Sequence, residues 1–268
     1  MTASARFVLG NGFVRALAVA LAAHVASGCE RETPRGGAPA PSGAVALSRL
    51  EAESWLVPLA LPDAGAALVA VPLGARAPRP IVLALHGDAA RPEWACGSYR
   101  HASHARAFVV CPRGAPLADG LRFSLASIER SRSELRASLP ALKARFGQHV
   151  AKGPVVLAAT GPSVGAAIEI AIEEPSFFSA LVLVDGPLQR FTPGVVARFA
   201  SAGGRRVLFV RTGRPLTAED AKRLLALERA GIETRRIHLE AARGLDGATT
   251  EALREAWPWL VRGDARWN

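Results

Sequence analysis

The chain has few lysines, few cysteines and few long apolar runs. The first two shortages argue against particular binding partners. Of its 33 basic residues three are lysines, and the arginines are scattered without interleaved aromatic residues. This distribution argues against a nucleic-acid partner. Its three cysteines have no Cys/His quartet around them, which argues against a zinc site. We therefore expect no nucleic acid, no metal and no other cofactor.

What the chain does contain is enough apolar material for one sizeable core. Half of its 268 residues are hydrophobic and 21% are charged, the composition of a globular protein rather than a disordered one. Its formal net charge of +10 is compatible with weak attraction to an anionic surface. We expect a single folded domain.

The first 29 residues have the pattern of an export signal. Arg6 and Arg15 precede an apolar stretch over 16–23 that is too short to span a bilayer. The stretch ends in small residues before Cys29, which resembles the lipobox of bacterial lipoproteins. This predicts lipidation of Cys29 and a membrane contact through that lipid anchor in the cell envelope. The alternative is ordinary signal cleavage after Ser27, which would leave a periplasmic or secreted protein.

Residues 30–46 are rich in Pro, Gly and Ala and read as a flexible linker, so the folded domain is predicted over 47–268. Short apolar runs alternate there with helical patterns, which is typical of a parallel sheet covered on both faces. The predicted fold class is α/β, with a mostly parallel sheet of the eight-stranded type. The predicted strands are 55–59, 67–71, 81–85, 107–110, 155–158, 180–184, 207–210 and 234–239, and the predicted helices follow an apolar stripe over 125–146 and the segments 164–174, 195–202, 218–230 and 250–261.

Export also bears on the two remaining cysteines, because disulfides persist outside the cytoplasm. If Cys29 carries lipid, Cys96 and Cys111 can form a bridge between the segment after one predicted strand and the end of the next. The alternative is a pair of buried free thiols.

A serine lies between two glycines directly after the apolar run that begins at Val155. The pattern Gly161-Pro162-Ser163-Val164-Gly165 falls at a predicted strand-to-helix junction, where a Gly-x-Ser-x-Gly turn holds a catalytic serine. The amino terminus of the following helix offers backbone N–H groups to a developing oxyanion. This makes Ser163 the candidate nucleophile.

With His86-Gly87-Asp88 at the end of an earlier strand, residues 53–262 resemble the α/β-hydrolase superfamily, and most closely its small, lid-free esterases. The resemblance implies an oxyanion hole from the backbone of Val164 and of the Gly87–Asp88 region. It also places residues 92–100, PEWACGSYR, in the oxyanion loop. His86 is a weak candidate base, since a histidine there is more often structural.

The two other parts of a catalytic triad are missing from the places that the resemblance assigns to them. Arg214 stands where the acid is expected, with Asp185 as an alternative acid, and Asp246 or Arg243 stands where the histidine is expected. Arg214 and Asp246 could pair across the site with exchanged charges. Three further histidines, His101, His104 and His238, are not required near the serine by their spacing.

Two functions remain open on this evidence. The first is an envelope-anchored protein whose serine site is non-functional or very weak, and which holds a ligand or protein partner in an open cleft. The alternative is an active esterase or acyl hydrolase that uses Ser163 on small esters with an unconventional base.

Overall fold

A computed structural model describes residues 47–125, 127–174 and 176–268 of the chain. The strands are, in chain order, β1 Leu56–Leu61, β2 Gly65–Ala70, β3 Ile81–Leu85, β4 Phe108–Pro112, β5 Ala115–Pro116, β6 Phe123–Ser124, β7 Val155–Thr160, β8 Phe178–Val184, β9 Arg206–Thr212 and β10 Glu233–Leu239. The helices are α1 Pro92–Ala102, α2 Ile128–Phe146, α3 Ser163–Glu173, α4 Pro193–Ser201, α5 Ala218–Arg229 and α6 Gly247–Leu260.

The main sheet has eight strands in the spatial order β1-β2-β4-β3-β7-β8-β9-β10. β2 is antiparallel to both β1 and β4, and all other neighbours are parallel. Every residue of β3 and β7 is buried, because helices cover both faces of the sheet. This confirms the predicted α/β class. β5 and β6 form a separate two-stranded ribbon.

The alternation of side chains along each strand divides the core into two layers. Leu83 and Leu157 face a cluster that contains residues of α2, α3, α4 and α5. Val82 and Val156 face a second cluster, which contains Trp257 of α6 and residues of α1. Because all connections between the parallel strands cross over through helices, the carboxyl ends of the strands lie together at one edge of the sheet.

The helix α1 corrects the expectation that residues 92–100 form a loop. Pro92 begins this helix, where its missing N–H costs nothing. The buried residues of the helix recur at helical spacing and pack on the sheet: Pro92, Ala95, Cys96, Tyr99 and Ala102. The apolar stripe was present in the sequence, but it is made of small residues and one tyrosine and is therefore weak.

The predicted disulfide is present between Cys96 of α1 and Cys111 of β4. Their Cα atoms are 5.9 Å apart, and both residues are completely buried. The bridge ties α1 to the sheet.

The predicted signal segment 1–29, Cys29 and the linker 30–46 lie outside the described residues. In the part of the chain that the structure describes, no helix is long and apolar enough to cross a membrane.

Candidate active site at the turn between β7 and α3

The turn between β7 and α3 has its left-handed residue at Gly161. β7 ends at Thr160, Gly161 has φ 61°, and Pro162 has the helical values φ −57° and ψ −29°. The Gly161 N–H donates to the carbonyl of Val184, 2.7 Å away, which continues the pairing of β7 with β8. A Cβ atom at Gly161 would meet no atom within 4 Å. This is the strained, outward-facing position that a catalytic serine occupies in a Gly-x-Ser-x-Gly turn.

Ser163 lies one step further, as the first residue of α3. It is only 4% exposed, and its hydroxyl donates to the backbone carbonyl of His86 at 2.7 Å. This hydrogen bond ties the start of α3 to the end of β3. The hydroxyl therefore serves as a buried structural donor, and no imidazole accepts its proton.

The backbone around this turn offers few donors to an oxyanion. In a nucleophile turn, the N–H after the strained residue forms part of the oxyanion hole. Here that residue is Pro162, which has no N–H. The N–H of Val164 donates to the Gly161 carbonyl at 3.1 Å. Gly87 and Asp88 follow β3 beside the turn, with Asp88 exposed.

His86 is buried at the end of β3 and does not face Ser163 with its ring. Its Nδ1 lies 2.7 Å from the Gly87 carbonyl oxygen, and its Nε2 lies 2.9 Å from that of Arg113. Both ring nitrogens face acceptors, so neither presents a lone pair to a hydroxyl proton. The imidazole links the loop after β3 to the chain after β4.

Three further histidines, His101, His104 and His238, lie away from the turn. His101 is on α1, with Nε2 3.0 Å from Glu251 of α6. His104 follows α1 with φ 55°, and His238 is exposed within β10. None of them lines a cavity beside Gly161.

Thr160, the residue before the turn, is also hydrogen-bonded through its side chain. Its hydroxyl lies 3.4 Å from the hydroxyl of Tyr99, and burial raises the pKa of Tyr99. Because this pair is neutral at ordinary pH, the Tyr99 hydroxyl does not act as a base that could activate Thr160.

Asp185 links the carboxyl end of β8 to that of β9 and, through Thr212, to the loop after β10. It follows β8 with φ 53°, and its carboxylate accepts the Thr212 N–H at 2.6 Å and the Thr212 hydroxyl at 2.5 Å. The same hydroxyl oxygen accepts the N–H of Gly244 in the loop after β10. Asp185 stands at the alternative acid position, but its carboxylate accepts from Thr212 at the end of β9 rather than from a histidine.

Asp246 begins α6 as its N-cap residue. Its carboxylate accepts the N–H groups of Thr249 at 2.9 Å and of Arg243 at 2.7 Å, and these backbone hydrogen bonds lower the pKa of Asp246. Among the described residues, no ion pair joins Asp246 to Arg214, whose side chain is exposed. The structure thus gives the two residues separate roles.

Two cavities flank the turn at the carboxyl edge of the sheet. One, of about 340 Å³, is lined by Pro162 and Ser163 together with Asp88, Pro187 and Arg190. The other, of about 390 Å³, is lined on one side by the loop after β10. Its larger and polar lining residues are His86, Arg91, Trp94, Thr160, Arg243, Leu245 and Asp246. Within the described residues, no group of three His, Cys, Asp or Glu side chains is placed to hold a metal ion.

Solved structures show which fold this arrangement belongs to. The chain is similar to TT1662 from Thermus thermophilus, with 21% identity and a TM-score of 0.53 over 75% of this chain and 97% of that one. A dienelactone hydrolase from Anabaena variabilis matches at 17% identity and a TM-score of 0.51, covering 77% and 95% of the two chains. The Bacillus cereus carboxylesterase matches at 16% identity and 0.50, covering 68% and 89%.

The chain has the α/β-hydrolase fold. At these identities the likeness extends to the fold alone, and no protein-family model or curated protein matches the chain. In α/β-hydrolases the catalytic serine sits on the sharp turn after a central strand. In this chain that turn holds Gly161 and Pro162, and Ser163 lies in the helix beyond it.

The sequence predicts Ser163 as the turn residue because the pattern Gly-x-Ser-x-Gly matches the chain with Ser163 at its centre. The run of apolar residues after Val155 continues to Ala159, and Pro162 follows shortly after it. A proline is well placed in the first turn of a helix. Together, the longer strand and the proline were the signal that the turn comes at Gly161.

Proposed function

We propose that this protein is a non-hydrolytic member of the α/β-hydrolase fold that binds a small molecule at the carboxyl edge of its sheet. The observation that carries the proposal is the pair Gly161 and Pro162 at the nucleophile turn. Glycine supplies no nucleophile there, and proline supplies no oxyanion donor. Two parts of the catalytic apparatus are thus absent at adjacent positions.

The surroundings of Ser163 support the same proposal. Its hydroxyl is buried against a carbonyl, and both ring nitrogens of His86 face other carbonyls. A serine without an adjacent base keeps an ordinary hydroxyl and reacts slowly with esters.

Binding is supported by the concave surface that remains around the turn. The cavity of about 390 Å³ has an exposed ring, Trp94, and the guanidinium of Arg91 lies 5.7 Å from its centroid. Arg243 lines the same cavity, and its side chain has no ion-pair partner among the described residues. Such a mixture of an aromatic face and a few cations suits a small ligand of a few hundred Å³.

The proposal is tested by labelling the purified full chain with a fluorophosphonate probe, beside a Ser163→Ala variant. We expect equal, background labelling of the two proteins, and hydrolysis of p-nitrophenyl acetate no faster for the wild type than for the variant. A known serine esterase labelled in parallel shows that the probe is active. Rapid labelling lost in Ser163→Ala would overturn the proposal in favour of the esterase alternative.

We further propose that the protein is exported and anchored in the cell envelope through a lipid on Cys29. The support is the apolar segment and the small residues before that cysteine. The expected result is incorporation of radiolabelled palmitate into the wild type and none into Cys29→Ser, together with recovery of the wild type in the membrane fraction. A mature protein that begins at Gly28 would show cleavage after Ser27 instead and contradict the anchor.

A further inference from the structure

A cavity of about 490 Å³ lies at the opposite edge of the sheet from the Gly161 turn. Its walls include Gly153 and Pro154, which precede β7, and Arg206, the first residue of β9. The carboxyl-terminal turns of the chain, from Leu260 to Trp267, close the other side. Because it sits at the amino ends of the parallel strands, this cavity is separate from the two cavities beside the turn.

The lining of this cavity carries a strong excess of positive charge. It contains five cationic side chains and a single carboxylate, that of Asp264; the cations are Lys152, Arg205, Arg206, Arg262 and Arg266. We call it the basic cavity. Among the described residues, the only other carboxylate bonded to these cations is that of Glu233, which lies at the start of β10. The walls therefore retain uncompensated positive charge that attracts anions.

Arg266 is built into the wall of the basic cavity. Its guanidinium pairs with Asp264 and donates to the carbonyls of Lys152 at 2.9 Å and Pro154 at 2.8 Å. Gly153 lies beneath it with φ 108°, and a Cβ at that position would come within 2.8 Å of the guanidinium. The loop before β7 and Arg266 are thus fitted to each other, which gives the cavity a rigid rim.

Arg206 is a second fixed cation, and it is nearly buried. One of its terminal nitrogens donates to the carbonyls of Leu260 and Arg262 at 3.3 and 2.8 Å, and the other pairs with Glu233 at 3.1 Å. Its Nε is buried and has no hydrogen-bond partner. A buried N–H without an acceptor is costly unless a ligand or water completes it.

Lys152 and Arg205 are the uncommitted cations of the cavity. Both side chains are exposed, and in the described part of the chain neither makes an ion pair or a side-chain hydrogen bond. They are free to close on a ligand without breaking an existing contact. Together with the remaining donors of Arg262 they surround an apolar floor that includes Val156, Ala180, Leu260 and Trp267.

We propose that the basic cavity binds a small molecule that carries a phosphate monoester. Several cations converging on one concave surface match a dianion with three acceptor oxygens, and guanidinium groups bind phosphate through paired hydrogen bonds. The volume of about 490 Å³ leaves room for an organic body beside the phosphate, and the apolar floor would contact that body. The same phosphate chemistry could come from a soluble metabolite or from the headgroup of an anionic lipid.

Titration calorimetry of the full chain with sn-glycerol 3-phosphate tests this proposal. We expect saturable binding that weakens as NaCl is raised, and a loss of at least about tenfold in affinity in Lys152→Gln/Arg205→Gln, because two charge-assisted contacts are removed. These side chains have no partners in the fold, so the variant should unfold at the same denaturant concentration as the wild type. The matched control is Lys222→Gln/Arg214→Gln, which removes the same charge from exposed positions after the carboxyl end of β9 and should bind like the wild type.

A vesicle arm separates the two sources of phosphate. Co-sedimentation with vesicles of phosphatidylcholine containing phosphatidic acid, lost in Lys152→Gln/Arg205→Gln but not in the control variant, would assign the phosphate to a lipid headgroup. Binding of sn-glycerol 3-phosphate without such sedimentation would assign it to a soluble ligand. Absence of both, or binding that the two double variants weaken equally, would overturn the proposal. None of these outcomes depends on whether the Gly161 turn is hydrolytic.

Discussion

Two adjacent residues, Gly161 and Pro162, distinguish this turn from a turn that carries a catalytic serine. The backbone at Gly161 is left-handed, with φ 61°, and glycine adopts this conformation without a steric penalty. A catalytic serine in the same place incurs that steric penalty, and the turn exposes its hydroxyl. With glycine at this position and proline after it, the turn avoids that penalty, and neither residue has a nucleophilic side chain. At the residue scale, this pair is the basis of the proposal that the protein does not hydrolyse esters.

Replacing Gly161 with alanine should separate this backbone effect from packing. The new Cβ would meet no atom within 4 Å, so the expected loss in the free energy of unfolding, about 1 kcal/mol, comes from the left-handed backbone alone. The matched control is Gly194→Ala in α4, which has equal space and no left-handed backbone, and which should lose no stability. Urea denaturation measures both. Equal stability of the two variants would show that the turn is not left-handed.

The loop between β10 and α6 contains Asp246, which stands where the family resemblance expects a catalytic histidine. Asp246 stands where the sequence suggested a partner for Arg214, and it begins α6 instead. The carboxylate satisfies backbone N–H groups at the helix terminus, which is also the end that favours negative charge. Asp246 therefore stabilises the first turn of α6.

Asp246→Ala should lower the free energy of unfolding by about 1 kcal/mol at pH 7. The pKa of Asp246 is lowered in the folded state, so this stabilisation is present above the unfolded pKa of about 3.9 and is lost as the pH falls through the folded value. The difference between wild type and variant should accordingly shrink in acid, as followed by urea denaturation between pH 7 and 3. Arg214→Gln serves as the control. A loss of stability in Arg214→Gln equal to that of Asp246→Ala would indicate that the two residues do pair.

At the scale of the whole molecule, the two edges of the sheet carry different features. The carboxyl edge holds the turn with its two cavities, and the amino edge holds the basic cavity. Between them, the disulfide fixes α1 to the sheet on the face that α1 shares with α6. Both proposed ligand sites therefore lie at strand ends of the same sheet.

Reduction of the disulfide should destabilise the whole domain. The bridge joins residues separated by 15 positions, and closing a loop of this length contributes about 3 kcal/mol through the unfolded chain. We expect urea unfolding at a lower midpoint in dithiothreitol than without it, with thiol titration of the denatured protein to confirm reduction. Cys96→Ala/Cys111→Ala should show no response to dithiothreitol. An unchanged midpoint in the reduced wild type would contradict the expectation.

Sequence alone was sufficient for most of the fold. The buried strands are short apolar runs bounded by Gly, Pro and charged residues, so β3 is predicted with its observed bounds and β7 and β9 differ by two residues or fewer at each end. The disulfide was one of two predictions for Cys96 and Cys111, the other being free thiols, and it depended on the expected export and on the count of cysteines. Helix α1 was missed because its buried face is made of small residues, whose apolar periodicity is weak until they pack on β4.

The place of the nucleophile turn depended on tertiary structure. The pairing of β7 with β8 sets the residue at which β7 ends. Thr160 lies opposite Val184, and the N–H of Gly161 donates to the Val184 carbonyl. That pairing joins segments more than twenty residues apart, and a local motif carries no information about it. The sequence by itself determined the α/β fold, the order of the main-sheet strands along the chain and the absence of a histidine after the last strand. Only the long-range pairing decided that glycine, not serine, occupies the strained turn.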